Sequence, residues 1–139
     1  MRFLNSKLKI ENTILQNIAK KYGTPAYCYS YKQLRENIND FKKNFKSISP
    51  LICFAIKSNT NLNLIKEIKK FGLGADVVSM GELMLALKAG ISPKKIVFSG
   101  VGKTSKEIDF AIDKNILLIN SESKSCLLYT SDAADELSC

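Results

Sequence analysis

From residue 51 the chain alternates short apolar runs with helix-patterned stretches, and this alternation restricts the fold more than any other feature. The runs "LICFAI" (51–56), "ADVV" (75–78), "KIVF" (95–98) and "ILLI" (116–119) recur about every 20 to 23 residues, the length of a compact strand–helix unit. Between them, apolar residues fall at helical spacing. Leu62, Leu64, Ile65, Ile68 and Phe71 mark one helix, closed by Gly72; Leu83, Ala86 and Leu87 mark a second, closed by Gly90; Ile108, Ala111 and Ile112 mark a third. The runs are apolar along their whole length, as parallel strands covered by helices are. Four such units make either a small open doubly wound sheet or the first half of a (β/α)8 barrel, which takes about 250 residues.

Upstream, Asn12 can cap a helix through Ile14, Leu15, Ile18, Ala19 and Tyr22, which Gly23 and Pro25 stop. "AYCYS" (26–30) reads as a short strand. Ser30 with Gln33 three positions on forms a capping box for a helix striped by Leu34, Ile38, Phe41 and Phe45.

Composition narrows the function classes. A 139-residue chain that is 45% hydrophobic and 24% charged is globular and long enough for a core. The net charge of +8 comes from scattered lysines; Arg2 and Arg35 are the only arginines and there is no Trp. That is not the clustered basic surface with interleaved aromatics that binds nucleic acid. No apolar run approaches the roughly 20 residues of a membrane span, and "MRFLNSKLKI" lacks the continuous apolar stretch of a secretory signal. The expectation is a cytoplasmic protein with no membrane partner. The cysteines Cys28, Cys53, Cys126 and Cys139 form no CxxC pair and there is no histidine, so no metal site is expected. Cys28 and Cys53 sit in apolar runs and read as core residues.

In either architecture, functional groups collect where strands end and helices begin. Lys57 stands there at the end of "LICFAI", where a charge is costly to bury unless paired or neutralised. On spacing alone it also fits a lysine that snorkels into solvent. Asp76 interrupts the apolar run one strand over, where a carboxylate needs a cationic partner. Glu82, three residues after Ser79, completes a capping box. "GVGKT" (100–104) resembles the end of a phosphate-binding loop, but Val97 occupies the position of the first glycine. A glycine-rich turn followed by a Thr104–Glu107 capping box fits better.

Five separated blocks then agree with one family. "YGTPAYCYS", "FAIKSNTN", "GLGADVVSMGEL", "ALKAGISPKKIVFSGVGK" and "INSES" resemble, in order and spacing, the N-terminal half of diaminopimelate decarboxylases, over about residues 8 to 123. The resemblance implies an α/β fold, a partial (β/α)8 TIM-type barrel of about four βα units that binds pyridoxal 5'-phosphate. It implies that Lys57 forms the Schiff base with the cofactor, and that Asp76 and Glu82 lie near it. An apolar setting from "LICFAI" would favour the neutral, reactive amine. A small amino-acid substrate and a homodimer of the intact enzyme are implied as well. Ornithine- and arginine-type decarboxylases share the pattern around the lysine, and a non-enzymatic pyridoxal-phosphate-binding protein would share the barrel. Met80 replaces a glycine common in diaminopimelate decarboxylases.

The same resemblance divides the chain into three parts. Residues 1–29 belong partly to a β-domain supplied later in the chain, and 30–125 form the first half of the barrel. Residues 126–139 have a different composition: after Ser125 there is no Lys, Ile or Asn. Cys126 to Glu136 looks like a transposon-derived sequencing adapter translated in frame. The ring-stacking histidine, the phosphate loop and the catalytic cysteine of the family would follow Ser123, so the sequence reads as an N-terminal fragment.

Overall fold

The computed structural model describes residues 2–4, 7–121 and 123. The residues of the expected non-native tail, with Cys126 and Cys139, lie outside them. The chain divides into two compact units, one ending at Pro50 and one beginning at Leu51. The sequence reading had divided it after residue 29.

In the first unit, strands β1 (Arg2–Leu4), β2 (Lys7–Ile10) and β3 (Thr13–Ile14) form an antiparallel sheet in that order. The alternation of Lys7, Leu8, Lys9 and Ile10 is the period-two signal for β2. Thr13 and Ile14 are consequently strand residues. Helix α1 (Leu15–Tyr22) begins without a side-chain cap, where Asn12 was expected to supply one. Gly23, at φ +84°, ends it. Residues 26–30 pair with no strand, against the expectation for "AYCYS". Tyr27 and Tyr29 are 91% and 59% exposed, so no apolar face drives pairing there. Cys28 is correspondingly half-buried.

Helix α2 (Tyr31–Asn44) is capped by Ser30 Oγ, which accepts the Gln33 N–H at 3.0 Å. The Gln33 side chain does not reach back; it donates to Asn37 Oδ1. The Glu11 carboxylate sits at this helix start, accepting the Lys32 N–H and the Ser30 hydroxyl at 2.8 Å each. Those two bonds hold its carboxyl below the usual range, the Lys32 N–H contributing most.

The second unit contains the expected repeat. Strands β4 (Cys53–Ala55), β5 (Gly74–Val77), β6 (Ile96–Phe98) and β7 (Leu118–Ile119) form a parallel sheet in chain order, joined by α3 (Leu62–Lys70), α4 (Met80–Lys88) and α5 (Ser105–Asp113). Consecutive parallel strands linked by helices are the arc of a barrel. β4, β6 and β7 are shorter than their apolar runs, and Ile56 and Lys95 belong to 3-10 turns.

The register separates two faces. Phe54, Ala75, Val77, Ile96, Phe98 and Ile119 pack with Ile65, Leu83, Ala86 and Ala111 of the helices in one apolar core. Cys53, Ala55, Asp76, Val97 and Leu118 alternate to the other face, and none of them is fully buried. Cys53 is therefore half-buried rather than core.

Gly74 is fixed by close approach. A Cβ there would lie 2.2 Å from the Lys95 carbonyl oxygen and 2.9 Å from Cys53 Sγ. Gly74→Ala must push the β6 backbone away, and overpacking of this kind costs about 1–3 kcal/mol. The expected result is a lower urea midpoint for unfolding; an unchanged midpoint would show that the strands separate freely.

Candidate active site

Lys57 is the middle residue of the 3-10 turn Ile56–Ser58 that follows β4. The polar residues after it build this turn. Ser58 Oγ donates to the Ala55 carbonyl at 2.7 Å, and the Asn59 N–H donates to the Ile56 carbonyl at 2.9 Å. Asn59 Oδ1 accepts the Asn61 N–H, and Asn61 Oδ1 in turn caps α3 at the Asn63 N–H, both at 2.9 Å. "KSNTN" thus converts a strand end into a helix start through local side-chain bonds.

The setting of Lys57 needs correction. Ile56 is fully buried in the helix-facing core, and the turn that puts it there leaves Lys57 exposed. The apolar environment expected from "LICFAI" does not surround the amine among the described residues.

Asp76 lies mid-strand in β5, in register with Ala55 on one side and Val97 on the other. It projects on the face away from the helices, beside the strand that delivers Lys57. Its Oδ1 is buried and has no hydrogen-bond partner among the described residues. Buried polar atoms are rarely left so, and this orphan acceptor marks a place for a donor. Cys53 is on the same face. Burial and, second, the Asp76 charge push its thiol up from the ordinary value, away from the reactive thiolate.

Glu82 is committed to the start of α4. Its Oε2 accepts the Val78 N–H at 3.0 Å, while its own N–H goes to Ser79 Oγ at 3.2 Å. This is a capping arrangement displaced by one residue, since the carboxylate returns to Val78 rather than to the Ser79 cap. No ion pair joins Lys57, Asp76 and Glu82 among the described residues. Lys57 stands on the turn after β4, Asp76 on the adjacent strand β5, and Glu82 holds the turn after β5.

Two residues at the same end of the sheet carry more than their sequence pattern conveyed. Lys103 is 7% exposed. Its ammonium donates to the Gly100 carbonyl and, at 2.6 Å, to the Asn120 carbonyl, and lies 5.6 Å from the centroid of the Phe98 ring. It ties the loop after β6 to the end of β7, so the amine is engaged by carbonyls rather than offered to a phosphate. Thr104 and Glu107 form the complete capping box expected for α5.

Glu107 also reaches a second helix, accepting the Met80 N–H at 3.0 Å. Partial burial pushes its carboxyl up; the bonds from Met80 and Thr104, with the Lys103 charge nearby, outweigh this and hold it below the usual range. A depressed folded-state value means that the stabilisation is complete above the ordinary carboxylate range and is lost as pH falls through the depressed value. Glu107→Gln should therefore flatten the acid side of the urea midpoint against pH. An unaltered acid limb would show that these bonds carry no linkage.

Residues 31–138 match the model of a protein family described as pyridoxal-dependent decarboxylase, pyridoxal binding domain. The chain belongs to this family. The match begins at the first residue of α2. Diaminopimelate decarboxylase of Aquifex aeolicus is 42% identical over 137 residues, 99% of this chain and 32% of that protein. The enzyme of Helicobacter pylori strain J99 is 45% identical over 108 residues, 78% of this chain and 27% of its own. The crystal structure of diaminopimelate decarboxylase from M. jannaschii in co-complex with L-lysine superposes with a TM-score of 0.87 at 35% identity, covering 94% of this chain and 31% of that one. The chain spans about a third of the length of these relatives. The fold is thus a partial TIM-type barrel of pyridoxal-phosphate-dependent decarboxylases, as the block resemblance implied; the repeat alone also fits an open doubly wound sheet.

The residues present fit that cofactor. A lysine amine stands on a turn fixed by its neighbours, and the adjacent strand presents a carboxylate with an unpartnered buried oxygen. None of the described helices is long and apolar enough to cross a membrane.

Proposed function

We propose that this chain is the pyridoxal-binding portion of a cytoplasmic, homodimeric enzyme that decarboxylates meso-2,6-diaminopimelate to lysine. The observation that carries the reading is Lys57 on the turn that follows β4, next to the strand that bears the orphan oxygen of Asp76, in a chain 40–45% identical to enzymes of that name. Pyridoxal 5'-phosphate, when bound, supplies an electron sink for the pair left behind as carbon dioxide departs.

The chain's own residues have three tasks. Lys57 Nζ holds the cofactor covalently and, when free, carries a proton. Asp76 Oδ1, unpartnered among the described residues, would accept a hydrogen bond from a cationic group in the site and so would retain positive charge there. Glu82 fixes the 78–82 turn that follows the strand bearing Asp76, accepting the Val78 N–H. Because Lys57 is exposed here, exclusion of water from its amine falls to groups beyond the described residues.

The decisive assay supplies meso-2,6-diaminopimelate, ornithine and arginine in parallel to a chain of the relatives' length carrying this segment. Lysine and carbon dioxide formed from the first substrate alone support the proposal. Preference for ornithine or arginine would place the chain in the ornithine/arginine-type branch, and cofactor binding with no decarboxylation would mark a non-enzymatic binding protein.

A further inference from the structure

The carboxylate of Glu107 does two jobs with two oxygens. Oε2 completes the α5 cap on the Thr104 N–H and hydroxyl, at 3.0 Å each. Capping needs nothing more. Oε1 nevertheless leaves its own helix and accepts the N–H of Met80, 27 positions earlier and the first residue of α4. Met80 closes the turn that leaves β5 just after Asp76, and Glu82 binds the same turn at Val78. On its other side the turn is closely packed: a Cβ on Gly100 would lie 3.2 Å from Val78 Cβ. The turn is therefore held at Val78 by its own helix and at Met80 by the next one.

We infer that Glu107 is a positioning residue for the cofactor site, setting the β5–α4 turn and through it Asp76 and Glu82 relative to Lys57. The inference rests on the proposed reading of Lys57. It makes a specific demand on chemistry, because both oxygens of Glu107 face N–H donors. Glutamine has one acceptor oxygen, so its amide NH2 must oppose a backbone N–H at Met80 or at Thr104. Aspartate, one methylene shorter, keeps the Thr104 side of the bridge and gives up Met80.

The test uses a chain of the relatives' length with Glu107→Gln, Glu107→Asp and Thr104→Ala, titrating pyridoxal 5'-phosphate by its protein-bound absorbance and recording urea midpoints. Thr104→Ala removes the cap hydroxyl and its bond to Glu107 Oε2 but keeps the Thr104 N–H and both Glu107 oxygens, so it reports a weakened α5 start with the Met80 acceptor still present. The expected result is a cofactor Kd raised about tenfold by either Glu107 variant, as small misplacements in a site produce. Thr104→Ala should change Kd less than about twofold even where its midpoint falls as far. Equal shifts for all three, or no shift for the Glu107 pair, would overturn the inference. If Glu107→Gln does not fold, Glu107→Asp decides alone. Lys57→Ala run alongside separates the two levels. If borohydride still traps the cofactor on it, the site reading falls and this inference with it; if it traps none while the Glu107 variants match Thr104→Ala, only the inference falls.

Discussion

Lys57→Ala, in a chain of the relatives' length, should lose covalent attachment of pyridoxal 5'-phosphate while folding as the parent does. The two halves of that result come from different observations. Lys57 makes no ion pair and carries no core packing among the described residues, so its removal breaks none of the bonds that hold this part of the fold. Its functional effect should be large, because loss of a positioned proton-transfer group alone costs about 10²–10⁴-fold in rate. Borohydride reduction followed by peptide mass mapping reads the attachment directly: the parent should carry the cofactor mass on the peptide containing Lys57, and the variant should carry none. A variant that still traps the cofactor, or a parent that traps it on another lysine, would refute the assignment. Lys57→Arg sharpens the comparison, since it keeps the charge but not an amine that can lose its proton at neutral pH.

Lys103→Met should give the opposite pattern, a large loss of stability. Methionine can fill the space of the lysine stem over Phe98 but cannot donate to the Gly100 and Asn120 carbonyls. A hydrogen bond to a charged group contributes about 1.5–3 kcal/mol, and both carbonyls, on half-buried Gly100 and exposed Asn120, lie at the end of the sheet where β6 and β7 hand over to their loops. Urea denaturation is the measurement. A midpoint equal to the parent's, together with loss of affinity for a magnesium nucleotide, would revive the phosphate-loop reading of "GVGKT". Thr104→Ser is the useful control, because it retains the α5 cap hydroxyl and leaves the Lys103 amine alone.

The parts of this molecule that were legible in the sequence are those encoded within a few residues. The four strand runs and their spacing gave the parallel sheet, since apolar runs and 3.6-residue periodicity are local signals. The Thr104–Glu107 box was legible for the same reason. "AYCYS" was misread because its alternation of aromatic and small residues has no partner strand to pair with, and pairing is not a local property. The apolar setting expected around Lys57 is absent among the described residues because Ile56 turns into the core and leaves its neighbour exposed. The double role of Glu107 and the engagement of Lys103 by Asn120 span 27 and 17 positions, and no spacing rule reaches that far. Asp76 was legible as an anomaly, a carboxylate in an apolar run; that one of its oxygens is buried without a partner required the sheet register.

The turn around Lys57 has a consequence for the thermodynamics of ligand capture. Fixing the backbone of one residue removes about 1–2 kcal/mol of conformational entropy. In many sites that ordering accompanies binding and lowers affinity by the same amount. Here Ser58, Asn59 and Asn61 already hold the backbone on either side of the lysine through bonds among themselves and to Ala55 and Ile56. The ordering occurs when the chain folds, and only the lysine side chain remains to lose freedom when a ligand arrives.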